Sequence, residues 1–185
     1  VTADHPRRSA LNDLRAKRDI RPALRYFDSL APVTVREMLG RWRGIGLATR
    51  HPMDGLLERS GWYGKRFETP EAAHPLLFGT AGGNVVSLDP ALIPLGSLLR
   101  FPRLAHLPIA AQAFRLVRPL LTTTRPTARL RMTEYRGVVT ATMCYDTLPV
   151  HDVFRRIDDD TVLGAMDTRG SPHPFMFVLT RDEAR

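Results

Sequence analysis

Among its 185 residues the chain has a single cysteine, Cys144, and of its 27 basic residues only Lys17 and Lys65 are lysine. One cysteine excludes an internal disulfide framework and any zinc site built from several thiolates, and Cys144 reads as a small apolar side chain. No apolar run approaches the ~20 residues of a membrane-spanning helix. Residues 1–19 hold no apolar block that would serve as a signal sequence, so a soluble, cytoplasmic protein is expected. No serine lies in Gly-x-Ser-x-Gly, and the glycine-rich turn 79–83 lacks a Gly-Lys-Ser/Thr ending. The six histidines contain no His-x-His and no pair at i, i+4. These absences argue against a hydrolase elbow, a phosphate loop and a structural metal site.

What is present is ordinary globular composition, 43% hydrophobic and 25% charged, enough for one domain with a real core and an appended arm. The net charge of +8, taken alone, suggests nucleic acid or an anionic membrane surface. Its distribution weakens that suggestion. Residues 1–25 hold seven basic residues against Asp4, Asp13 and Asp19, which is half of the excess, and the remainder is spread along the chain. So lopsided an arginine-to-lysine ratio also fits coding bias, and no nucleic-acid partner is expected.

Hydrophobic spacing divides the chain into a basic N-terminal arm, 1–22, and one domain, 23–185. Ser9 is placed to cap a first helix, which Pro22 interrupts. Thr34-Val-Arg-Glu37 has the form of a capping box opening a short helical turn. Residues 42–47, 62–67, 74–78 and 84–88 then read as short strands, rich in glycine and aromatics, as in a curling sheet. From Leu92 to Leu121 apolar residues recur at helical spacing between prolines. This insertion, 89–127, reads either as a helical lid or as a buried connection between two halves of a sheet. Beyond Pro126 five strands follow, 128–135, 138–146, 150–157, 161–167 and 175–181, with Arg136-Gly137 as a tight turn. The fold expected is mainly β: a small antiparallel barrel with N-terminal helices and a helical insertion.

Gly40-Arg-Trp-Arg-Gly44 opens the first long strand. A Gly-x-Trp there resembles the barrel-floor signature of lipocalins and related calycins, in which an indole plugs the bottom under an arginine from the last strand; Arg181 is the matching arginine here. The blocks Phe27-Asp28, Gly40–Gly44, His51-Pro-Met-Asp-Gly-Leu-Leu-Glu58, Gly61-Trp-Tyr-Gly-Lys-Arg-Phe67 and His74-Pro-Leu-Leu-Phe78 closely resemble the bacterial family named for its GXWXG motif. Glu134-Tyr-Arg-Gly137, Met143-Cys-Tyr-Asp146, Asp152-Val-Phe-Arg155, Asp160-Thr-Val-Leu-Gly164 and Pro174-Phe175 resemble the domain of unknown function that follows it. The resemblance implies a calycin-like barrel and nothing about substrate.

A barrel of this kind suggests binding of a small hydrophobic molecule, such as a fatty acid or isoprenoid. Trp62, Tyr63, Lys65, Tyr145 and Phe154 are the expected lining and Trp42 the floor. Lys65, set among aromatics, reads as a surface residue or as a buried cation that would hold a carboxylate ligand. No cofactor is required. Haem is the one the barrel analogy admits, through His51, His74 or His173. The rival reading is an acid–base enzyme, an isomerase, cyclase or hydrolase, with Tyr145, Asp146, His151 and Asp152 as working groups. At least two carboxylate, histidine or tyrosine groups converging in an apolar cavity favour that rival. A protein–protein adaptor would instead expose an apolar patch.

Overall fold

Helices α1 (Asp4–Lys17) and α2 (Ile20–Ser29) open the computed structural model, which describes residues 4–80 and 82–182. Residues 1–3, 81 and 183–185 of the arm, the glycine-rich turn and the domain end lie outside the described residues. The break between the helices falls at Arg18, whose backbone is left-handed (φ 49°), and Asp19 caps α2 by accepting from the Arg21 amide. Ser9 is therefore inside α1 rather than at its start. Pro22 is in the first turn of α2, where its missing N–H breaks no bond. Both N-terminal helices are packed: Leu11 and Leu14 of the arm, with Ala23 and Phe27, are buried against Val153, Ile157, Leu163, Met176 and Val178.

Short strand β1 (Ala31–Pro32) leads to α3 (Val35–Met38), which has the capping box its sequence announces. The Thr34 amide donates to Glu37 at 2.7 Å, and the Glu37 amide to the Thr34 hydroxyl at 3.3 Å. Next come β2 (Gly40–Leu47), α4 (Leu56–Ser60), β3 (Trp62–Thr69), β4 (Ala72–Gly79) and β5 (Val85–Ser87). The insertion holds α5 (Leu95–Arg100), α6 (Pro102–Ala105) and α7 (Pro108–Val117). The C-terminal strands are β6 (Ala128–Tyr135), β7 (Val138–Tyr145), β8 (Val150–Asp158), β9 (Thr161–Thr168) and β10 (Phe175–Arg181). Arg136 and Gly137, at φ 53° and 77°, make the hairpin turn whose twist suits its strands.

Pairing runs β2-β3-β4-β6-β7-β8-β9-β10 and returns to β2, so eight antiparallel strands close into a barrel, with β1 added beside β8 and β5 beside β4. One seam is thin: β4 and β6 share the single pair Ala73–Ala128. Beyond that pair β5 takes the edge of β4 at Leu77–Gly79, and the helices of the insertion pack on the barrel interior through Leu95, Leu99, Phe114 and Leu121. The insertion is helical, as its apolar spacing predicts. The interior core includes Trp42, Phe67, Phe154, Phe177 and Leu179, and a second core lies outside the sheet beneath α1 and α2. No helix among the described residues is long and apolar enough to cross a membrane.

Candidate functional site

The glycine-flanked tryptophan closes one end of the barrel. Trp42 is buried, and its indole N–H donates to the Met38 carbonyl at 2.7 Å. The Arg181 guanidinium lies 4.3 Å from the centre of the Trp42 ring and donates to the carbonyls of Leu39 (3.0 Å) and Glu37 (2.9 Å). One side chain thus stacks on the plug and satisfies carbonyls at the end of α3. Each glycine has its own steric reason. Gly40 has φ 115°, a conformation closed to most side chains. At Gly44 a Cβ would fall 2.2 Å from the Trp62 ring, so the second glycine of the motif is the space that Trp62 occupies.

Gly64 decides what faces inward next. The β3–β4 ladder has irregular register on both sides of Gly64, which has φ 149°. A Cβ there would come within 2.0 Å of the Trp42 carbonyl oxygen. The extra residue lets Trp62 and Lys65, three apart, both turn into the barrel, whereas strict alternation would send one of them out. Tyr63 turns outward: its hydroxyl bonds Asp182, and Arg41 and Arg43 sit over its ring at 5.7 and 5.0 Å. The structure therefore corrects the reading of Tyr63 as cavity lining.

Above the aromatic layers lies a cavity of about 830 Å³, bounded by the barrel interior and the insertion. Trp62, Leu76, Phe78, Met166, Phe175 and Phe177 line it from the strands, and Ile93, Leu95, Ala111 and Phe114 from the insertion. Its volume is in the range of sites that enclose small organic molecules. Phe154 is below this space, packed edge-on against Phe67 (5.8 Å) and Phe177 (6.3 Å), so it belongs to the layer beneath the cavity and not to the wall. Trp42 is likewise beneath it.

A buried polar cluster marks the inner wall. Lys65 Nζ is 2.7 Å from Asp152 Oδ2, with side chains 4% and 0% exposed, and it donates to the Pro75 carbonyl at 3.1 Å. The rings of Phe177 (5.1 Å), Trp62 (5.6 Å) and Tyr145 (5.9 Å) surround the ammonium. The Tyr145 hydroxyl donates to Asp152 Oδ2 at 3.3 Å. Asp152 Oδ1 and Trp62 Nε1 are buried with no protein partner. Burial pushes the Asp152 pKa above the usual carboxylate range, and Lys65 and Tyr145 only partly offset it. Burial and the neighbouring carboxylate raise Tyr145 well above the usual phenol value, so it stays a proton donor.

Of the four acid–base candidates, Tyr145 and Asp152 come together here, while Asp146 and His151 do not. Asp146 is exposed and pairs with Arg129 at 3.2 Å; His151 is exposed opposite Cys144. Period two along β7 and β8 accounts for both: Tyr145 and Asp152 face in, and their chain neighbours face out. His51, His74 and His173 do not line the cavity. His51 accepts the Met53 amide at Nδ1 (3.1 Å) and bonds Ser171 through Nε2 (2.9 Å), and burial lowers its pKa to about 4. His74 contacts Ser87 and Glu68. His106 does line the cavity, yet its nitrogens contact Arg59 (3.3 Å) and the Pro52 carbonyl (3.0 Å). Of these imidazoles only His106 borders the cavity, and both of its ring nitrogens already have protein partners. Among the described residues no three His, Cys, Asp or Glu side chains group as a metal site. Sequence reasoning missed Phe175 and Phe177, whose spacing along β10 already placed them on one face.

Comparison with known proteins agrees with this architecture. The GXWXG protein family matches residues 25–83, and the domain of unknown function DUF4334 matches residues 126–181. A crystal structure of a protein from Thermomonospora curvata has the same fold, with a TM-score of 0.69 and 31% identity, covering 96% of this chain and 99% of that one. None of the curated proteins compared matches the chain. The segment between the two family matches is the roof of the cavity.

Proposed function

The chain belongs to the GXWXG protein family, and we propose that it binds a small apolar molecule carrying one neutral polar group. The observation that carries this reading is the 830 Å³ cavity with the Lys65–Asp152–Tyr145 cluster on its inner wall. Apolar walls supply affinity, and a few placed polar groups supply orientation. The Lys65 charge is already compensated by Asp152, so a ligand carboxylate would meet a second carboxylate and be disfavoured. A hydroxyl or carbonyl avoids that repulsion. Isoprenoid or steroid-like alcohols and ketones therefore rank above free fatty acids, and the barrel interior supports them better than it supports haem.

The acid–base reading has one specific observation in its favour: Tyr145 and Asp152 converge in an apolar cavity, where burial raises the pKa of the carboxyl. In that case Asp152 would accept a proton and Tyr145 would polarise a substrate oxygen, with Lys65 limiting how far the Asp152 pKa rises. Native mass spectrometry and solvent extraction of the purified protein test the binding reading. Retention of a neutral terpenoid or sterol-like compound is expected, and failure to retain or take up any such compound would refute it. Asp152→Asn separates the two readings. A binding protein keeps its ligand with altered affinity, whereas an enzyme loses turnover of that compound.

A further inference from the structure

The roof of the cavity is apolar on two sides. Along α7 and the turn after it, Ala110, Ala111, Phe114 and Leu121 face the cavity. Ile109, Leu116 and Leu120, spaced seven and four apart, face away from the barrel and are 69%, 82% and 81% exposed. A helix on a protein surface ordinarily turns charged residues to water, and one apolar all round is ordinarily buried. Phe101, between α5 and α6, and Leu104, in α6, are also exposed. Exposed apolar side chains concentrated on one element mark an interaction surface.

From residue 90 to the end of the insertion the charge is of one sign. Between Asp89 and Glu134 there is no acidic residue, and the insertion carries Arg100, Arg103, Arg115, Arg118 and Arg125. None of these five forms an ion pair among the described residues. Arg115 and Arg118 donate to the carbonyls of Arg59 and Gly79, and Arg100 lies 5.8 Å from the Phe101 ring. Elsewhere on the molecule arginines commonly have carboxylate partners, as in Arg136–Asp28 and Arg131–Glu71. A protruding apolar stripe flanked by uncompensated arginines complements a bilayer surface with anionic headgroups: the apolar groups reach the acyl boundary while guanidinium groups pair with phosphates.

We propose that the roof of the cavity docks on an anionic membrane surface, with Ile109, Leu116 and Leu120 entering the headgroup layer and the insertion arginines pairing with lipid phosphates. Docking does not require an occupied cavity. It would place the roof, whose other side lines the cavity, at the lipid interface, where apolar molecules are dissolved. The long reach of leucine and phenylalanine side chains from short helices suits shallow insertion, and no spanning segment is needed.

Flotation of the full chain with vesicles tests this. Vesicles of equal parts phosphatidylcholine and phosphatidylglycerol are expected to carry the protein, vesicles of phosphatidylcholine alone are not, and added salt should weaken the association. Leu116→Asp with Leu120→Asp should weaken it roughly tenfold or more with an unchanged circular dichroism spectrum, since both side chains are exposed. Arg100→Gln with Arg103→Gln should weaken it by a similar factor, at about fivefold per arginine. No flotation with the anionic vesicles, or flotation untouched by both pairs of substitutions, would overturn the proposal. So would a stable dimer in solution that the leucine substitutions dissociate, because the stripe would then belong to a second copy. Vesicle binding that survives in a protein found to hold no ligand would leave docking standing and remove the cavity reading alone.

Discussion

Replacing Lys65 by methionine isolates the energetics of the buried cluster. Methionine keeps much of the side-chain volume and deletes the ammonium that faces Asp152 at 2.7 Å, the Pro75 carbonyl and three aromatic rings. Removing one member of a buried pair typically costs about 3–5 kcal/mol, because the other charge is left without compensation. Asp152 limits that cost by taking up a proton. From an ordinary pKa of 3.8, holding the carboxyl neutral at pH 7 costs no more than about 4 kcal/mol, and at pH 5 about 2 kcal/mol. The sign follows from linkage. A carboxyl whose folded pKa is raised is favourable below its unfolded pKa and loses that contribution as pH rises through the folded value, so the deficit of Lys65→Met must grow with pH. Urea unfolding followed by fluorescence of Trp42 and Trp62 at the two pH values measures it. The double change Lys65→Met with Asp152→Leu removes the stranded charge and should return stability to within about 1 kcal/mol of the parent, or above it. A single variant as stable as the parent at both pH values, or a double variant no better than the single, would refute this account.

Gly44→Ala should destabilise by roughly 1–3 kcal/mol, as overpacking does, because its methyl group meets the Trp62 ring; the thermal midpoint and near-ultraviolet dichroism report it. Arg181→Ala exposes two α3 carbonyls and the face of Trp42, for an expected loss of about 2 kcal/mol and a shift in Trp42 fluorescence, measured by urea unfolding. His51 has its folded pKa lowered to about 4, so the parent loses stability as pH falls from its ordinary 6.5 towards that value; His51→Gln should show a flatter stability profile across that window. Ala111→Trp places an indole in the cavity without touching the strands, and should abolish uptake of a fluorescent apolar probe while leaving the unfolding midpoint nearly unchanged.

Much of the barrel was legible because its turns are local. Arg136-Gly137 demands one hairpin geometry, Thr34 and Glu37 close a capping box by themselves, and the alternation on β6 to β10 fixes which side chains turn inward. Asp152 and Tyr145 could be placed in the same way. Tyr63 could not, because the irregularity at Gly64, where a Cβ would meet the Trp42 carbonyl of another strand, puts it on the face opposite Lys65. Alternation carried unbroken through β3 puts Tyr63 and Lys65 on one face; the structure puts Lys65 with Trp62. The Lys65–Asp152 pair spans strands distant in sequence and in sheet order, so no spacing rule reports it.

The two ends of the barrel differ in a way that bears on traffic through it. At the Trp42 end, indole, guanidinium and α3 carbonyls interlock, and Phe67, Phe154 and Phe177 pack between the plug and the cavity. A molecule passing that way would have to disrupt aromatic packing and a hydrogen-bonded cation together. At the other end the roof consists of short helices separated by prolines. Short helices with few strand bonds open at lower free energy than a continuous ladder does. Under the proposed binding function, entry and exit are expected at the insertion, and a short cross-link tethering the insertion to α4 at positions outside the cavity lining, after Cys144→Ser, should slow probe uptake and release alike while leaving the bound amount unchanged. Equal rates with and without the cross-link would mean that molecules reach the cavity by another path.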